Sequence, residues 1–201
     1  MMANQYAQLA KMNDPDIFAA AQEDDMHTCW FCMRGPDDSP FENGWYIGSI
    51  TMPKEYPMKA PVFRYFTPSS RFQPGKSICT TFSQWHPESW TPSWSLKQQL
   101  HGLRSFMLDK RRTEIGAMQC SDAAIRRDAA ASLAWNRRHP RWQSLLGEEV
   151  EQRVADRAAK AAATAAAEKK RERDDTEECD EATPPPAKRA RRGKEEADPP
   201  Q

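Results

Sequence analysis

Almost every large apolar side chain of this sequence lies in its first 147 residues. All seven tryptophans fall there, whereas residues 148–173 are mostly Ala, Glu, Lys and Arg, and residues 174–201 contain no aromatic side chain. Ordering a backbone costs about 1–2 kcal/mol per residue, which burial of apolar area must offset. The sequence therefore predicts one folded domain over residues 1–147. Residues 148–173 read as a helical extension formed on propensity, with no apolar stripe to dock it firmly. Residues 174–201, rich in charge and proline, read as a disordered tail, acidic first and then basic. A domain of this size can bury a sizeable core without disulfides.

The formal net charge is zero, which counts against a domain that binds nucleic acid through a basic surface. No apolar run approaches the ~20 residues that span a bilayer. The N-terminus lacks a basic stretch followed by an apolar one. The expectation is a soluble protein of the cytoplasm, the nucleus or both, with no membrane and no nucleic acid among its partners. The five cysteines, Cys29, Cys32, Cys79, Cys120 and Cys179, are an odd number. Without a secretory signal they read as reduced thiols and not as a disulfide framework. Cys29 and Cys32 have the spacing of half a zinc site. No second pair completes four ligands, and on a strand residues three apart face opposite ways. No metal is expected.

Residues 4–12 read as an N-terminal helix stopped by Asn13-Asp14-Pro15. Residues 29–34 read as a strand, followed by a turn region at Gly35-Pro36. Asn43-Gly44 is a hairpin signal, since both central positions of a type I′ turn need positive φ. The chain returns over residues 45–52 with Tyr46, Gly48, Ile50 and Met52 on one face. Residues 62–66, β-branched and aromatic, make a third strand. Residues 67–91 are long and irregular, with Pro68, Pro74, Pro87 and nearby Pro92 bending the path; a loop of that length inside a compact domain is usually functional. Ser95 and Gln98 form a capping box that opens the next helix, whose buried face is Leu96, Leu100, Leu103 and Met107. Ser121 caps another helix running to about residue 136. Helix, antiparallel meander, irregular segment and C-terminal helices together make an α+β plan.

Inside the irregular segment, Gly75-Lys76-Ser77-Ile78-Cys79-Thr80-Thr81-Phe82 sets one thiol just after a turn-prone Pro74-Gly75 pair. A lone cysteine is most often a small buried hydrophobe, but a loop setting is where reactive thiols are found. Other landmarks fall in order around it. Arg34-Gly35-Pro36 closes the first strand, and Asn43-Gly44-Trp45-Tyr46 opens the second. Tyr56-Pro57-Met58-Lys59-Ala60-Pro61 precedes the third, and Trp90-Thr91-Pro92-Ser93 precedes the capped helix. Over residues 3–147 this order resembles the ubiquitin-conjugating enzyme (ubiquitin carrier protein) family. Within it, the chain is most similar to the tail-anchored, endoplasmic-reticulum-associated branch. That branch carries Thr-Pro-Asn-Gly-Arg-Phe before the cysteine and His-Pro-x-x-Trp after it. The matching residues are Thr67-Pro68-Ser69-Ser70-Arg71-Phe72 and His86-Pro87-Glu88-Ser89-Trp90. Ser69 stands where the branch has asparagine. The chain also ends without a hydrophobic C-terminal anchor, so the membrane residence of that branch is not carried over.

The resemblance implies the ubiquitin-conjugating fold and a role for Cys79 as the carrier of ubiquitin. Cys79 would accept the C-terminus of ubiquitin as a thioester from a ubiquitin-activating enzyme, which uses the ATP, so no cofactor of its own is expected. A ubiquitin ligase would then dock, and the acyl group would pass to a lysine, or to a Ser or Thr hydroxyl, of a substrate protein. A thioester suits this task because its acyl carbon stays electrophilic and sulfur leaves readily. Ser69, Ser70 and His86 are candidates for stabilising the oxyanion or orienting the acceptor; otherwise the serines cap a turn and His86 packs. Glu114 corresponds to an acidic residue that handles an incoming lysine, or else is a solvated surface charge. Met58, Pro92, Ser93 and Trp94 correspond to the ligase-facing surface, with core packing at a helix start the alternative for Trp94. Lys188, Arg189, Arg191, Arg192 and Lys194 form either a nuclear localisation signal or a solvating tail that neutralises the acidic block before it. Two further readings stay open. One is a conjugating-enzyme variant impaired by Ser69 that acts as a ubiquitin-binding adaptor. The other is a cysteine hydrolase using Cys79 and His86, for which the sequence shows no orienting Asn or Asp.

Overall fold

A computed structural model of the protein describes residues 2–22, 25–110 and 113–181, with side chains as far as Arg171. Helix α1 (Met2–Ala10) leads into strands β1 (Ile17–Gln22), β2 (Asp25–Arg34), β3 (Trp45–Thr51) and β4 (Val62–Tyr65). Helices α2 (Leu96–Phe106) and α3 (Asp122–Asn136), a π-helical turn (Trp142–Leu146) and α4 (Gly147–Glu181) follow. The strands form an antiparallel meander in the order β1-β2-β3-β4. The α+β plan read from the sequence is the one observed. Strand β1 is an addition to it. Ile17-Phe18-Ala19-Ala20-Ala21-Gln22 is alanine-rich and carries little β signal; pairing makes it a strand, with Ile17 opposite Met33 and Ala21 opposite Cys29.

The turn before β3 differs from the hairpin expected. Of Asn43 and Gly44 only Asn43 has a positive φ, 65°, so no type I′ turn forms. Residues 35–44 instead make a wider loop, closed where Gly35 N–H donates to the Gly44 carbonyl at 2.8 Å. Gly44 is there for room: a Cβ would lie 2.3 Å from the Tyr46 hydroxyl.

Alternation along β3 sends Tyr46, Ile50 and Met52 into the main core, against Leu96, Leu100, Leu103 and Met107 of the α2 segment. The Ser95–Gln98 capping box that opens α2 is present in both directions. The other face of β3 is also covered. Trp45 and Ile47, with Cys32 of β2, are buried against Trp142, Leu146 and Val150. Cys29 and Cys32 accordingly lie in different cores on opposite sides of the sheet, and burial pushes both thiols up, Cys29 to about 12.

That second core moves the domain boundary. The compact unit runs to Asp156 and not to Gly147, and Arg157 begins a separate unit. Val150 is fully buried, and Val154 packs beside it. Arg153 lies 5.3 Å over the Phe18 ring and donates to the Asp14 carbonyl at 3.2 Å. Two valines four apart make the short stripe that the composition of the whole extension conceals. From Arg157 to Arg171 every side chain is exposed. Among the described residues no helix is long and apolar enough to cross a membrane.

Helix α3 begins where Ser121 accepts from the Ala124 N–H and ends on a buried polar clasp. Trp45 N–H donates to Ser132 Oγ at 2.9 Å, and Asn136 Nδ2 donates to the Trp45 carbonyl at 2.8 Å. Thr67 Oγ1 donates to Asn136 Oδ1 at 2.6 Å and accepts from the Ile47 N–H at 2.8 Å. The clasp fixes the chain at Thr67, where the irregular segment leaves the sheet.

Candidate active site

Backbone hydrogen bonds set the position of Cys79. Ile78 N–H donates to Phe63 of β4 at 2.9 Å, and Cys79 N–H donates to the Ile115 carbonyl at 3.0 Å. The second bond requires residues 113–118 to approach closely. Gly116 allows it: its φ is 82°, and a Cβ there would sit 2.5 Å from the Ser77 carbonyl. Beyond Cys79 the chain doubles back through a turn built on Ser83, which is fully buried. Thr80 N–H donates to Ser83 Oγ at 3.0 Å, Ser83 Oγ donates to the Thr80 carbonyl at 2.8 Å, and His86 N–H donates to the Ser83 carbonyl at 3.0 Å. The reversal brings His86 back to the thiol.

Cys79 Sγ lies 3.2 Å from His86 Nε2, and His86 Nδ1 lies 2.9 Å from Glu88 Oε1. Thiol, imidazole and carboxylate thus form a line. Glu88 is held below the usual carboxylate range by its own backbone N–H and by His86, so it is ionised at neutral pH and can only accept. In the neutral imidazole this pairing favours the proton on Nδ1, which leaves the Nε2 lone pair facing the thiol. Cys79 is half-buried. Burial pushes its thiol up, the Glu114 and Glu88 carboxylates add to this, and a backbone hydrogen bond with Ile115 works the other way. A thiol held in its neutral form needs a base to react, and Nε2 is in reach of its proton.

Ser69 and Ser70 are both bonded within the fold, the turn-capping alternative read from the sequence. Ser69 is buried, and its Oγ accepts from Arg71 N–H at 3.4 Å and Phe72 N–H at 3.3 Å. Ser70, at φ 52°, donates to Asp128 Oδ2 of α3. Both hydroxyls are committed to holding the turn, because buried polar atoms must be paired. Glu114 is part-buried: its Oε2 is out of water and, among the described residues, has no hydrogen-bond partner.

Met58 is 73% exposed, and Pro92 and Ser93 are exposed as well. The loops that carry them are joined where Trp90 Nε1 donates to the Pro57 carbonyl at 2.7 Å. Trp94 is turned inward, stacked on Phe82 with ring centroids 5.0 Å apart. It packs on the main core because a flat apolar ring gains more by burial than by exposure. Lys188, Arg189, Arg191, Arg192 and Lys194 lie outside the described residues.

The family model "Ubiquitin-conjugating enzyme" matches residues 1–131, which span every strand and the thiol–imidazole line. The chain belongs to the ubiquitin-conjugating enzyme family. Ubiquitin-conjugating enzyme E2 6 of Eremothecium gossypii is 34% identical over 156 residues, covering 77% of this chain and 64% of that one. Ubiquitin-conjugating enzyme E2 34 of Arabidopsis thaliana is 35% identical over 161 residues, 78% of this chain and 68% of that one. Ubiquitin-conjugating enzyme E2 J2 of Homo sapiens is 34% identical over 147 residues, 73% of this chain and 56% of that one. The matched stretch thus spans between 56% and 68% of these three relatives.

Two members of the site were not singled out in the sequence. Glu88 sits inside the His-Pro-x-x-Trp motif at one of its variable positions. Its signal is the spacing of two residues from His86 with Pro87 between, which a tight turn converts into a contact. Ser83 resembles any turn serine, and only its complete burial marks it as the pivot.

Proposed function

We propose that this family domain carries ubiquitin as a thioester on Cys79 and hands it to an acceptor lysine or hydroxyl. The observation that supports the reading best is the half-exposed thiol held on two backbone anchors with an imidazole nitrogen 3.2 Å away. Loading exchanges the thioester of the activating enzyme for one on Cys79, and His86 stands where a base is wanted. Glu114, part-buried and near enough to act on the thiol, is proposed to meet a cationic lysine. Met58, Pro92 and Ser93 offer a ligase an exposed apolar and proline-braced surface on two joined loops. The basic residues from Lys188 to Lys194 are proposed as a nuclear address.

The test is to incubate the full chain with activating enzyme, ATP and ubiquitin, then compare gels run with and without reductant. A reductant-sensitive adduct that Cys79→Ala abolishes supports the reading; the same adduct on Cys79→Ala defeats it. The carboxylate behind His86 also completes a hydrolase-like line that the sequence did not show. The same experiment separates the two. A hydrolase forms no ATP-dependent adduct, whereas a conjugating enzyme holds one until an amine or hydroxyl is supplied.

A further inference from the structure

We infer that Glu88 is a positioning residue for acceptor chemistry: its carboxylate fixes the His86 ring with Nε2 facing Cys79 and steadies the imidazolium that forms when a hydroxyl acceptor gives up its proton. The inference rests on the proposed thioester reading and names the side chain that makes His86 a usable base.

The turn carrying the pair is anchored at both ends. His86 N–H is held by the Ser83 carbonyl at 3.0 Å, Ser89 N–H returns to the His86 carbonyl at 3.0 Å, and Trp90 N–H reaches the Pro87 carbonyl at 3.4 Å. Pro87 restricts the backbone between imidazole and carboxylate, and Trp90 is pinned through Nε1 to Pro57 at 2.7 Å. Among the described residues, the charged and titratable groups bonded to the ring are Cys79 and Glu88, with Glu114 acting on the thiol. Glu88 is 66% exposed, so its pairing adds little to fold stability. Its effect is on which ring nitrogen bears the proton, the role of the third group in nucleophile–base arrangements.

In the transfer step the acceptor oxygen attacks the thioester carbonyl carbon while its proton passes to His86 Nε2. The new C–O bond forms and the tetrahedral intermediate collapses with cleavage of C–S. Cys79 leaves as a thiolate and takes the proton back from Nε2. A neutral lysine amine is a better nucleophile and depends less on that base.

The experiment uses full-length protein loaded with ubiquitin, and Glu88→Gln as the variant. Discharge of the preformed thioester to free threonine and to free lysine is followed in single turnover across pH. Glu88→Gln is expected to load to the same endpoint, to slow discharge to threonine roughly threefold to tenfold, below the range of full general-base loss, and to move the midpoint of that pH–rate profile to lower pH. Discharge to lysine changes by less than about twofold. Wild-type rate and midpoint in Glu88→Gln, or equal slowing toward both acceptors without a midpoint shift, would overturn the inference. Nitrogen NMR of the unloaded protein gives an independent reading. The wild-type ring is expected to carry its proton on Nδ1, and Glu88→Gln to lose that preference. The same tautomer in both proteins would sink the inference even if no ubiquitin could be loaded. Failure of wild-type Cys79 to load would overturn only the proposed function.

Discussion

Residues 67–72 and residues 79–88 lie on either side of the same bend, and both are rich in hydroxyls and turn-forming residues. In the first stretch every hydroxyl is turned into the fold. Thr67 joins Ile47 to Asn136, Ser69 receives two backbone N–H groups, and Ser70 holds Asp128. In the second, only Ser83 is spent on the turn, while Cys79, His86 and Glu88 stay partly or fully exposed and bond to one another. The difference follows from burial. A polar atom removed from water is usually paired by its neighbours, and the pairing ties it into the fold, whereas a half-exposed one can exchange a neighbour for a substrate. Substitutions in the first stretch should therefore act through stability and those in the second through chemistry.

The sharpest test of that division is Cys79→Ala. It is expected to abolish thioester formation completely and to leave the denaturation midpoint within the range of ordinary surface changes, about ±0.5 kcal/mol. A large loss of stability would mean the thiol belongs to the core. Asn136→Ala should do the reverse. It strips the Trp45 carbonyl and Thr67 Oγ1 of buried partners and is expected to cost about 2–4 kcal/mol in urea unfolding. Below its melting range, each folded molecule should still load and discharge at the wild-type rate; a specific loss of discharge would break the comparison. His86→Ala should load to the same endpoint. It should then discharge to free serine or threonine about tenfold or more slowly, with a smaller effect on lysine. Equal slowing toward both acceptors would make His86 a structural residue and erase the contrast. The smallest effect is expected for Ser70→Ala. Loss of one part-buried hydrogen bond to Asp128 should cost about 1 kcal/mol, with discharge unchanged. If Ser70→Ala slowed discharge with no change in stability, the first stretch would have to be counted as catalytic too.

Much of the frame was legible because its determinants are local. The Ser95–Gln98 capping box, the Leu96, Leu100 and Leu103 stripe and the Tyr46, Ile50 alternation each depend on residues within a few positions of one another. Local geometry carries them unchanged into the fold. The turn at Asn43-Gly44 does not form, because only Asn43 has a positive φ and the loop is closed instead by Gly35 and Gly44 at its two ends. Strand β1 was missed because alanines have little preference of their own and accept the state their partner strand imposes.

The sequence by itself determined that one thiol sits in an exposed, proline-bent segment between a meander and a capped helix, and that a histidine follows it. It did so through composition, periodicity and a motif contiguous in the chain. Tertiary structure alone decided which polar residues surround that thiol. Ser69 and Ser70 are tied into the fold by the Arg71–Phe72 backbone and by Asp128 of α3. Glu114 comes in because Gly116 lets one loop pass under Ser77. Glu88 meets His86 because the turn pivoting on Ser83 closes behind it. It was likewise packing, not composition, that drew Val150 and Val154 out of an alanine-rich helix and onto the back of β3. Such contacts join segments that are far apart in the chain or related by a specific turn. Their energies come from burial and pairing that exist only once the chain has closed on itself, so no window of sequence contains them.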